Sequence, residues 1–394
     1  MALTVKSGNL HIYKGCKLGQ FYKVEDFLGE GSFGIVAKCR CIVTGKMAAI
    51  KVLKNHPAIM HQAREEIAVL KQLQRLDPDQ ANIVRWNDFF FNKQLICLNF
   101  ELLDQCLNIF QQEQNLPTLS LCEMSPILYQ MGTALLHLSD IGIVHTDIKT
   151  DNIMVVDRHQ RPLHFKLIDF GLAKNVSDLK PGDYVQTSWY RAPEVVLGGP
   201  FNEAIDMWSL GIVAVKLATG YHLYPGDSDY DTLAYIIQTQ GRPSESVLDR
   251  GLRTSVYFKK QDTSPYGWKF KTPKEMGFDY IEVSPLNLKS LEEIEVVQET
   301  GKECDQRVFI DLVTNMLHLD PDLRIKPAAF LKHSFFNPSQ DENNEDTTQW
   351  LGQTTSTTER TELQDKKETE IKMRSTDSCL KILYRKIEGA FTVN

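Results

Sequence analysis

Two short polar clusters hold the side-chain types that phosphoryl transfer needs. The first is His145-Thr146-Asp147-Ile148-Lys149-Thr150-Asp151-Asn152, and the second, further along the chain, is Asp169-Phe170-Gly171. A carboxylate must accept or orient the proton of an attacking hydroxyl, and a lysine must offset charge on the moving phosphoryl group. An amide and a second carboxylate must hold Mg2+. Asp147, Lys149, Asn152 and Asp169 supply those groups in that order. The bland alternative is a pair of Asp-containing turns in ordinary loops. The order and context of the motifs around them argue against it.

Upstream lies Gly29-Glu30-Gly31-Ser32-Phe33-Gly34, a G-x-G-x-x-G loop. In a dinucleotide-binding fold the third glycine opens a helix. Here Ile35-Val36-Ala37-Lys38-Cys39 follows and alternates like a strand, which favours a glycine-rich hairpin whose backbone N–H groups approach phosphates. No G-K-[ST] ends the motif, so a Walker P-loop is excluded. Ala48-Ala49-Ile50-Lys51 comes next. A strand lysine in that place can reach the α- and β-phosphates of a nucleotide if a carboxylate holds its ammonium. Glu65 and Glu66 both qualify by position. Glu66 adjoins the apolar stripe of Ile67 and Leu70 and is therefore expected to point inward.

The elements that must position these groups change along the chain. Phe21 to Leu28, Ile35 to Val43, Met47 to Leu53 and Leu95 to Phe100 read as strands, rich in Val, Ile, Phe and Tyr and bounded by turn residues. A helix interrupts them from Ala63, where Ile67, Leu70 and Leu73 recur at helical spacing. Ile127 to Leu138 and Ile205 to Leu217 read as largely buried helices, with Asp206 opening the second. The expectation is an α+β chain, with a small β-rich lobe before a larger helical one and the join near Glu101 to Asp104. Residues 339 to 378 are almost wholly polar and are expected to be disordered, because they cannot bury enough surface to offset ordering. Leu380 to Val393 turn apolar again, and a sticky end and a docking helix both remain open for them.

Composition narrows the class further. The 394 residues carry 44 Lys and Arg against 51 Asp and Glu, a net charge of −7, so no global basic field exists to hold a nucleic acid. The 8 cysteines are scattered without zinc spacing, and the N-terminus has no apolar signal-peptide core. The apolar run Leu210 to Ala218 is interrupted by Lys216 and falls short of the ~20 residues a membrane span needs. These features lead to the expectation of a soluble intracellular protein with reduced thiols and neither nucleic-acid nor membrane partners.

Taken together, the motifs resemble those of eukaryotic protein kinases from about Tyr22 to Phe336. Gln186-Thr187-Ser188-Trp189-Tyr190-Arg191-Ala192-Pro193-Glu194 resembles the end of a kinase activation segment. Asp206-Met207-Trp208-Ser209-Leu210-Gly211 resembles the helix whose first Asp holds the catalytic-loop backbone, and Arg324 the arginine that pairs with Glu194. The strings D-Y-V-Q-T-S-W-Y-R-A-P-E, P-F-N-E-A-I-D-M-W-S-L-G and L-Y-P-G are similar to homeodomain-interacting protein kinases of the CMGC group, relatives of the dual-specificity tyrosine-regulated kinases. The stretch from Arg253 to Glu275 resembles the insert of that wider group.

That resemblance implies a bilobal kinase fold. It divides the chain into an extension at 1–21, a kinase domain at 22–336 with its first lobe ending near 103 and its second starting near 104, and a tail at 337–394. It also implies ATP with Mg2+ and protein Ser/Thr substrates, with Asp147, Lys149, Lys51 and Glu66 as catalytic residues and Asn152 and Asp169 as metal ligands. Around ATP it places Leu28, Gly29, Glu30, Gly31, Ser32, Phe33, Gly34, Ile35, Val36, Ala49, Lys51, Glu101, Leu103 and Met154. Phe100 would guard the back pocket and Asp104 would reach the ribose.

Thr146 stands where most kinases have an arginine that clamps an activation-loop phosphate, which argues against a phosphothreonine switch of that kind. Tyr184 takes the place of a tyrosine those kinases phosphorylate on themselves, and Arg191 could meet the phosphate with bidentate hydrogen bonds. A preference for proline after the phosphoacceptor extends from the same relatives, as do a nuclear location and transcriptional-regulator substrates. The other class of reading, a pseudokinase serving as a nucleotide-binding scaffold, is disfavoured because Lys51, Glu66, Asp147, Asn152 and Asp169 are all present.

Overall fold

The structure is a computed structural model that describes residues 4–7, 10–113, 118–260, 267–277, 286–296 and 306–336. The expected tail, Cys304 and Cys379, and the D-T-S-P-Y string of the insert lie outside the described residues. The described chain divides into two units. One takes residues up to 65 together with 85–102, and the other takes 66–84 and most of the chain from 103 onward.

The first unit is β-rich. Its strands are β1 (Thr4–Ser7), β2 (Leu10–Tyr13), β3 (Lys17–Leu18), β4 (Tyr22–Glu30), β5 (Gly34–Cys41), β6 (Met47–Leu53), β7 (Trp86–Asn92) and β8 (Leu95–Glu101). Strands β3 to β8 form one antiparallel sheet in the order β3-β4-β5-β6-β8-β7. Alternation explains how it packs: Ile35, Ala37 and Cys39 on β5 and Ala48, Ile50 and Val52 on β6 are buried. Lys51, lying between Ile50 and Val52, projects from the opposite face of the sheet. Residues 12–18, expected as an extension, instead contribute Ile12 and Leu18 to this core.

Helix α1 (Pro57–Leu73) follows β6 and begins six residues before the expected start, with proline at its first position. Ala63, Glu66, Ile67, Leu70 and Leu73 are buried along one stripe, whereas Glu65 is exposed and lies 3.8 Å from His61. The inward choice of Glu66 matches this burial.

The second unit is mainly helical. After β9 (Gln105–Cys106) and α2 (Leu107–Glu113) comes α3 (Leu121–Asp140), opened by a capping box in which Ser120 and Glu123 satisfy each other's backbone N–H groups. Strand β10 (Ile143–Val144) leads into the first polar cluster. β11 (Ile153–Asp157) and β12 (Arg161–Leu167) leave it as a hairpin that also pairs with β9, and β13 (Lys174–Asn175) closes on β10. Then come α4 (Pro193–Val196), α5 (Ala204–Thr219) and α6 (Asp229–Gln240). Helix α5 is buried along nearly its whole length and stops at Gly220, whose φ of +78° suits glycine. Among the described residues, no helix is long and apolar enough to cross a membrane.

Candidate active site

The two units each carry part of the set. In the first unit the three glycines of the loop differ in what they need. A Cβ on Gly29 or Gly31 would meet nothing within 4 Å, but on Gly34 it would lie 2.1 Å from the carbonyl oxygen of Val52. The third glycine is therefore demanded by close strand packing, while the first two leave room for an anion. The Gly31 N–H donates to the Gly34 carbonyl at 2.9 Å, so the loop is a closed turn. Ser32 and Phe33 lie within this turn, Glu30 ends β4 opposite Ile35, and Ile35 is wholly buried. Leu28 is 46% exposed, and Val36 and Ala49 are half-buried, which suits apolar residues awaiting a flat ligand. The Glu101 N–H donates to the Arg85 carbonyl at 3.0 Å and its carboxylate accepts from the Arg85 N–H at 2.7 Å, so its own carbonyl is the backbone group it can offer. Phe100 precedes it at the end of β8.

In the second unit the first polar cluster is a tightly bonded loop. Lys149 Nζ donates to Asp147 Oδ2 at 2.7 Å, and Asn152 Nδ2 donates to the same oxygen at 3.0 Å and to the Asp147 carbonyl at 2.8 Å. The Thr187 hydroxyl donates to Asp147 Oδ1 at 2.6 Å and accepts from Lys149 at 3.1 Å. Both oxygens of the buried Asp147 carboxylate thus have fixed directions, and a hydroxyl already sits where one must be held for proton transfer. Thr187 and Asp147 are 40 positions apart, so their contact leaves no sequence signal.

The loop is held from beneath by Asp206, as the resemblance implies. Its Oδ2 accepts the His145 N–H at 2.7 Å and its Oδ1 accepts the Thr146 N–H at 2.9 Å. Burial pushes the Asp206 carboxyl up to about 7, against the pull of those two N–H groups. His145, wholly buried with its Nε2 2.9 Å from the Ile168 carbonyl and its ring edge-on to Phe170, is held below its ordinary range by burial. Thr146 adopts a φ of +66° and its hydroxyl donates to the Leu172 carbonyl at 2.8 Å. The residue that departs from the common arginine is therefore a buried tie to the Asp169-Phe170-Gly171 turn.

Asp169 also has a left-handed φ, +60°, and its Oδ1 accepts from the Gly171 N–H at 3.3 Å. The neighbouring Ile168 N–H donates to the Asn152 carbonyl at 2.9 Å, which brings the two candidate metal ligands together. Asn152 uses its amide nitrogen on Asp147, so its amide oxygen is the atom offered to a cation. One amide oxygen and one carboxylate suit Mg2+, which takes one or two protein oxygens and fills the rest from phosphates and water. Among the described residues no group of three His, Cys, Asp or Glu converges.

Leu103 is buried and Met154 half-buried in this unit. Asp104 Oδ2 accepts from the Arg158 N–H at 3.0 Å and lies 3.3 Å from the Arg158 guanidinium, which fixes the direction of its carboxylate.

The activation segment is pinned at its end. Arg324 makes a bidentate pair with Glu194 at 2.7 and 3.0 Å, both side chains buried, as expected. Arg191 donates to the Tyr184 hydroxyl at 2.6 Å, to the Val185 carbonyl at 2.9 Å and to the Gln186 carbonyl at 2.8 Å. Asp229, which was not singled out from sequence, accepts from the Tyr184 hydroxyl at 3.0 Å and from Arg191 at 3.0 Å. Arg253 adds a second guanidinium 5.2 Å from the Tyr184 ring centre.

A hydroxyl, a lysine and an amide converging on one buried aspartate, beside a metal-type Asp–Asn pair and a pinned activation segment, define a phosphoryl-transfer site. The chain belongs to the protein kinase domain family, which it matches over residues 22–336. It is 41% identical over 334 residues to homeodomain-interacting protein kinase 2 of Mus musculus, covering 81% of this chain and 28% of that protein. To homeodomain-interacting protein kinase 1 of Caenorhabditis elegans it is 38% identical over 344 residues, covering 80% and 40%. To homeodomain-interacting protein kinase 4 of Homo sapiens it is 35% identical over 355 residues, covering 84% and 57%. The chain thus spans between about a quarter and somewhat over half of the length of these relatives. The fold is the expected α+β kinase fold, and the family resemblance read from the motifs is the one these relatives show.

Proposed function

We propose that this chain transfers the γ-phosphoryl group of Mg-ATP to serine and threonine hydroxyls of proteins. The observation that supports it is the convergence of Lys149, Asn152 and Thr187 on Asp147. In this reading the substrate hydroxyl donates to Asp147, its oxygen forms the new bond to phosphorus, and the bond to the β-phosphate oxygen breaks to release ADP. Lys149 steadies the charge on the transferring group. Asn152 and Asp169 would hold Mg2+, which would supply neutralisation of phosphate charge. Lys51, Glu66 and the ATP-lining residues keep the roles that the resemblance implies.

The same reading includes a preference for proline after the phosphoacceptor. Gln186 has a φ of +69°, and its carbonyl is turned onto Arg191. An ordinary residue's N–H would then lack that acceptor, whereas proline brings no N–H to satisfy. It also includes phosphorylation of Tyr184 by the chain itself, with Arg191 and Arg253 in place to meet the phosphate. Protein substrates are the partners in this reading. The nuclear location rests on the resemblance and is checked by imaging the tagged chain.

The test is Mg2+-dependent transfer from ATP to a Ser-Pro protein substrate by wild type and Asp169→Asn, with mass spectrometry of Tyr184. Transfer by wild type alone, with Tyr184 modified, supports the transfer reaction and the Tyr184 step, and a matched Ser-Ala substrate reads the proline preference. No transfer by well-folded wild type moves it to a pseudokinase scaffold. Transfer that is indifferent to the residue after the acceptor removes the proline preference alone.

A further inference from the structure

Lys216 is out of place on α5. The neighbouring Gly211 to Val215 and the following Leu217 and Ala218 are buried, and Lys216 itself is half-buried. Its ammonium donates to the Thr150 hydroxyl at 3.0 Å. Among the described residues no carboxylate oxygen comes within the 4.0 Å of an ion pair with it. Burial lowers its affinity for a proton, and the charge of Asp151 on the catalytic loop opposes that. A lysine stem that simply snorkels along an apolar helix would carry its head to water. This one carries it to the loop that holds Asp147 and Lys149.

The surroundings of that ammonium belong to the catalytic loop and to the end of the activation segment. Thr150 Oγ1 also lies 3.5 Å from the Tyr190 hydroxyl, and Tyr190 stands between Thr187, bonded to Asp147, and Arg191, bonded to the Gln186 carbonyl. His222 packs on Trp189 and Tyr190, with ring centres 4.5 and 5.4 Å apart, and its Nδ1 is buried without a hydrogen-bond partner. Trp189 is 39% exposed and Tyr221 is 55% exposed, so this wall faces outward. An extended peptide advances roughly 3.3 Å per residue, which puts residues flanking the acceptor within reach of such a group.

We infer that Lys216, with Thr150 and the wall of His222 and Trp189, forms a subsite for an anionic side chain near the phosphoacceptor of the protein substrate. The anion is a carboxylate or the phosphate of an already modified residue. This rests on the protein kinase reading and deepens it by naming the substrate class: proline-directed sites with an acidic or phosphorylated neighbour. The subsite disfavours arginine at the same position, because the Lys216 ammonium repels a second cation.

The test is a positional peptide library around Ser-Pro, with Asp, phosphoserine, Ala and Arg at each flanking position, read as kcat/KM for wild type, Lys216→Gln and Lys216→Glu. Wild type is expected to favour Asp or phosphoserine over Ala roughly tenfold at one position, the scale of a charge-assisted hydrogen bond. Lys216→Gln flattens that position and Lys216→Glu inverts it toward Arg, with the proline preference intact in both. The Asp and phosphoserine arms tell the two anion sources apart. An anionic preference that survives Lys216→Gln, or none in active wild type, overturns the subsite. If no peptide is phosphorylated at all, the kinase reading fails instead. Fluorescence anisotropy of the Asp and Ala peptides then decides the subsite by binding: equal affinity for wild type and Lys216→Gln refutes it, and a drop specific to the Asp peptide supports it.

Discussion

The Thr187 hydroxyl donates a 2.6 Å hydrogen bond to Asp147 Oδ1, while Lys149 and Asn152 share Oδ2. The carboxylate is thereby divided, with one oxygen held by charge and the other turned to a hydroxyl. Asp147→Asn keeps the shape and removes the acceptor, so kcat is expected to fall by about 10²- to 10⁴-fold with nucleotide affinity little changed. Thr187→Val is expected to lose roughly tenfold in kcat, and Thr187→Ser to restore most of it. Steady-state kinetics beside nucleotide titration checks both, and a Thr187→Val enzyme with unchanged kcat would remove Thr187 from the site.

Arg324 and Glu194 are both buried and bonded through two parallel N–H···O contacts. Removing one partner strands a charge, so Arg324→Ala is expected to cost about 3–5 kcal/mol in unfolding free energy. Urea denaturation measures it. Truncating the exposed Arg250, paired with Asp322 at 3.1 Å, is expected to cost under about 1 kcal/mol and serves as the comparison.

Tyr184→Phe removes a hydroxyl bonded to both Arg191 and Asp229, which stay paired directly at 3.0 Å. Arg191 keeps its bonds to the Val185 and Gln186 carbonyls, so the turn persists while the loop ahead of it loosens. Activity is expected to fall roughly tenfold with proline preference retained, on the scale of one hydrogen bond, about 1–1.5 kcal/mol. Equal turnover by the variant and wild type, with no phosphate on Tyr184, would show that the tyrosine plays no part in activation.

His222 is pushed down to about 4 by burial and by the charge of Lys216. The unfolded chain binds this proton near pH 6.5 and the folded chain only near pH 4, so the stabilisation is present above pH 6.5 and lost as pH falls toward 4. Wild type is expected to lose about 1 kcal/mol more than His222→Gln between pH 7 and pH 5, once solvent screening of the half-buried ring is allowed for. Parallel denaturation series at the two pH values read the difference, and identical slopes would contradict it.

The sequence made the local half of this molecule readable. Strands β5 and β6 declare themselves because period-two burial leaves alternating apolar residues, and Glu66 could be chosen over Glu65 from its place on a stripe. Strand β7 was missed because Trp86-Asn87-Asp88 opens it with polar residues that look like a turn, although Asn99 Nδ2 bonds Asp88 across the pair at 2.8 Å. Strand β12 was obscured by Lys166, a buried lysine whose ammonium finds Asp79 at 2.7 Å. In the site, residues adjacent in sequence were legible, and those recruited from afar were not. Thr187 on Asp147, Asp229 on Arg191 and Arg158 on Asp104 are each made by folding and leave no spacing to count.

The pairing of Glu194 with Arg324 also sets a schedule for synthesis. The partners are 130 residues apart, and a ribosome adding roughly 5–20 residues per second needs on the order of 10 s to pass from one to the other. Throughout that interval the nascent chain already holds Asp147, Asn152 and Asp169, while Glu194 still lacks its buried cation. The end of the activation segment therefore seals late, and until then it stays open to chaperones and proteases.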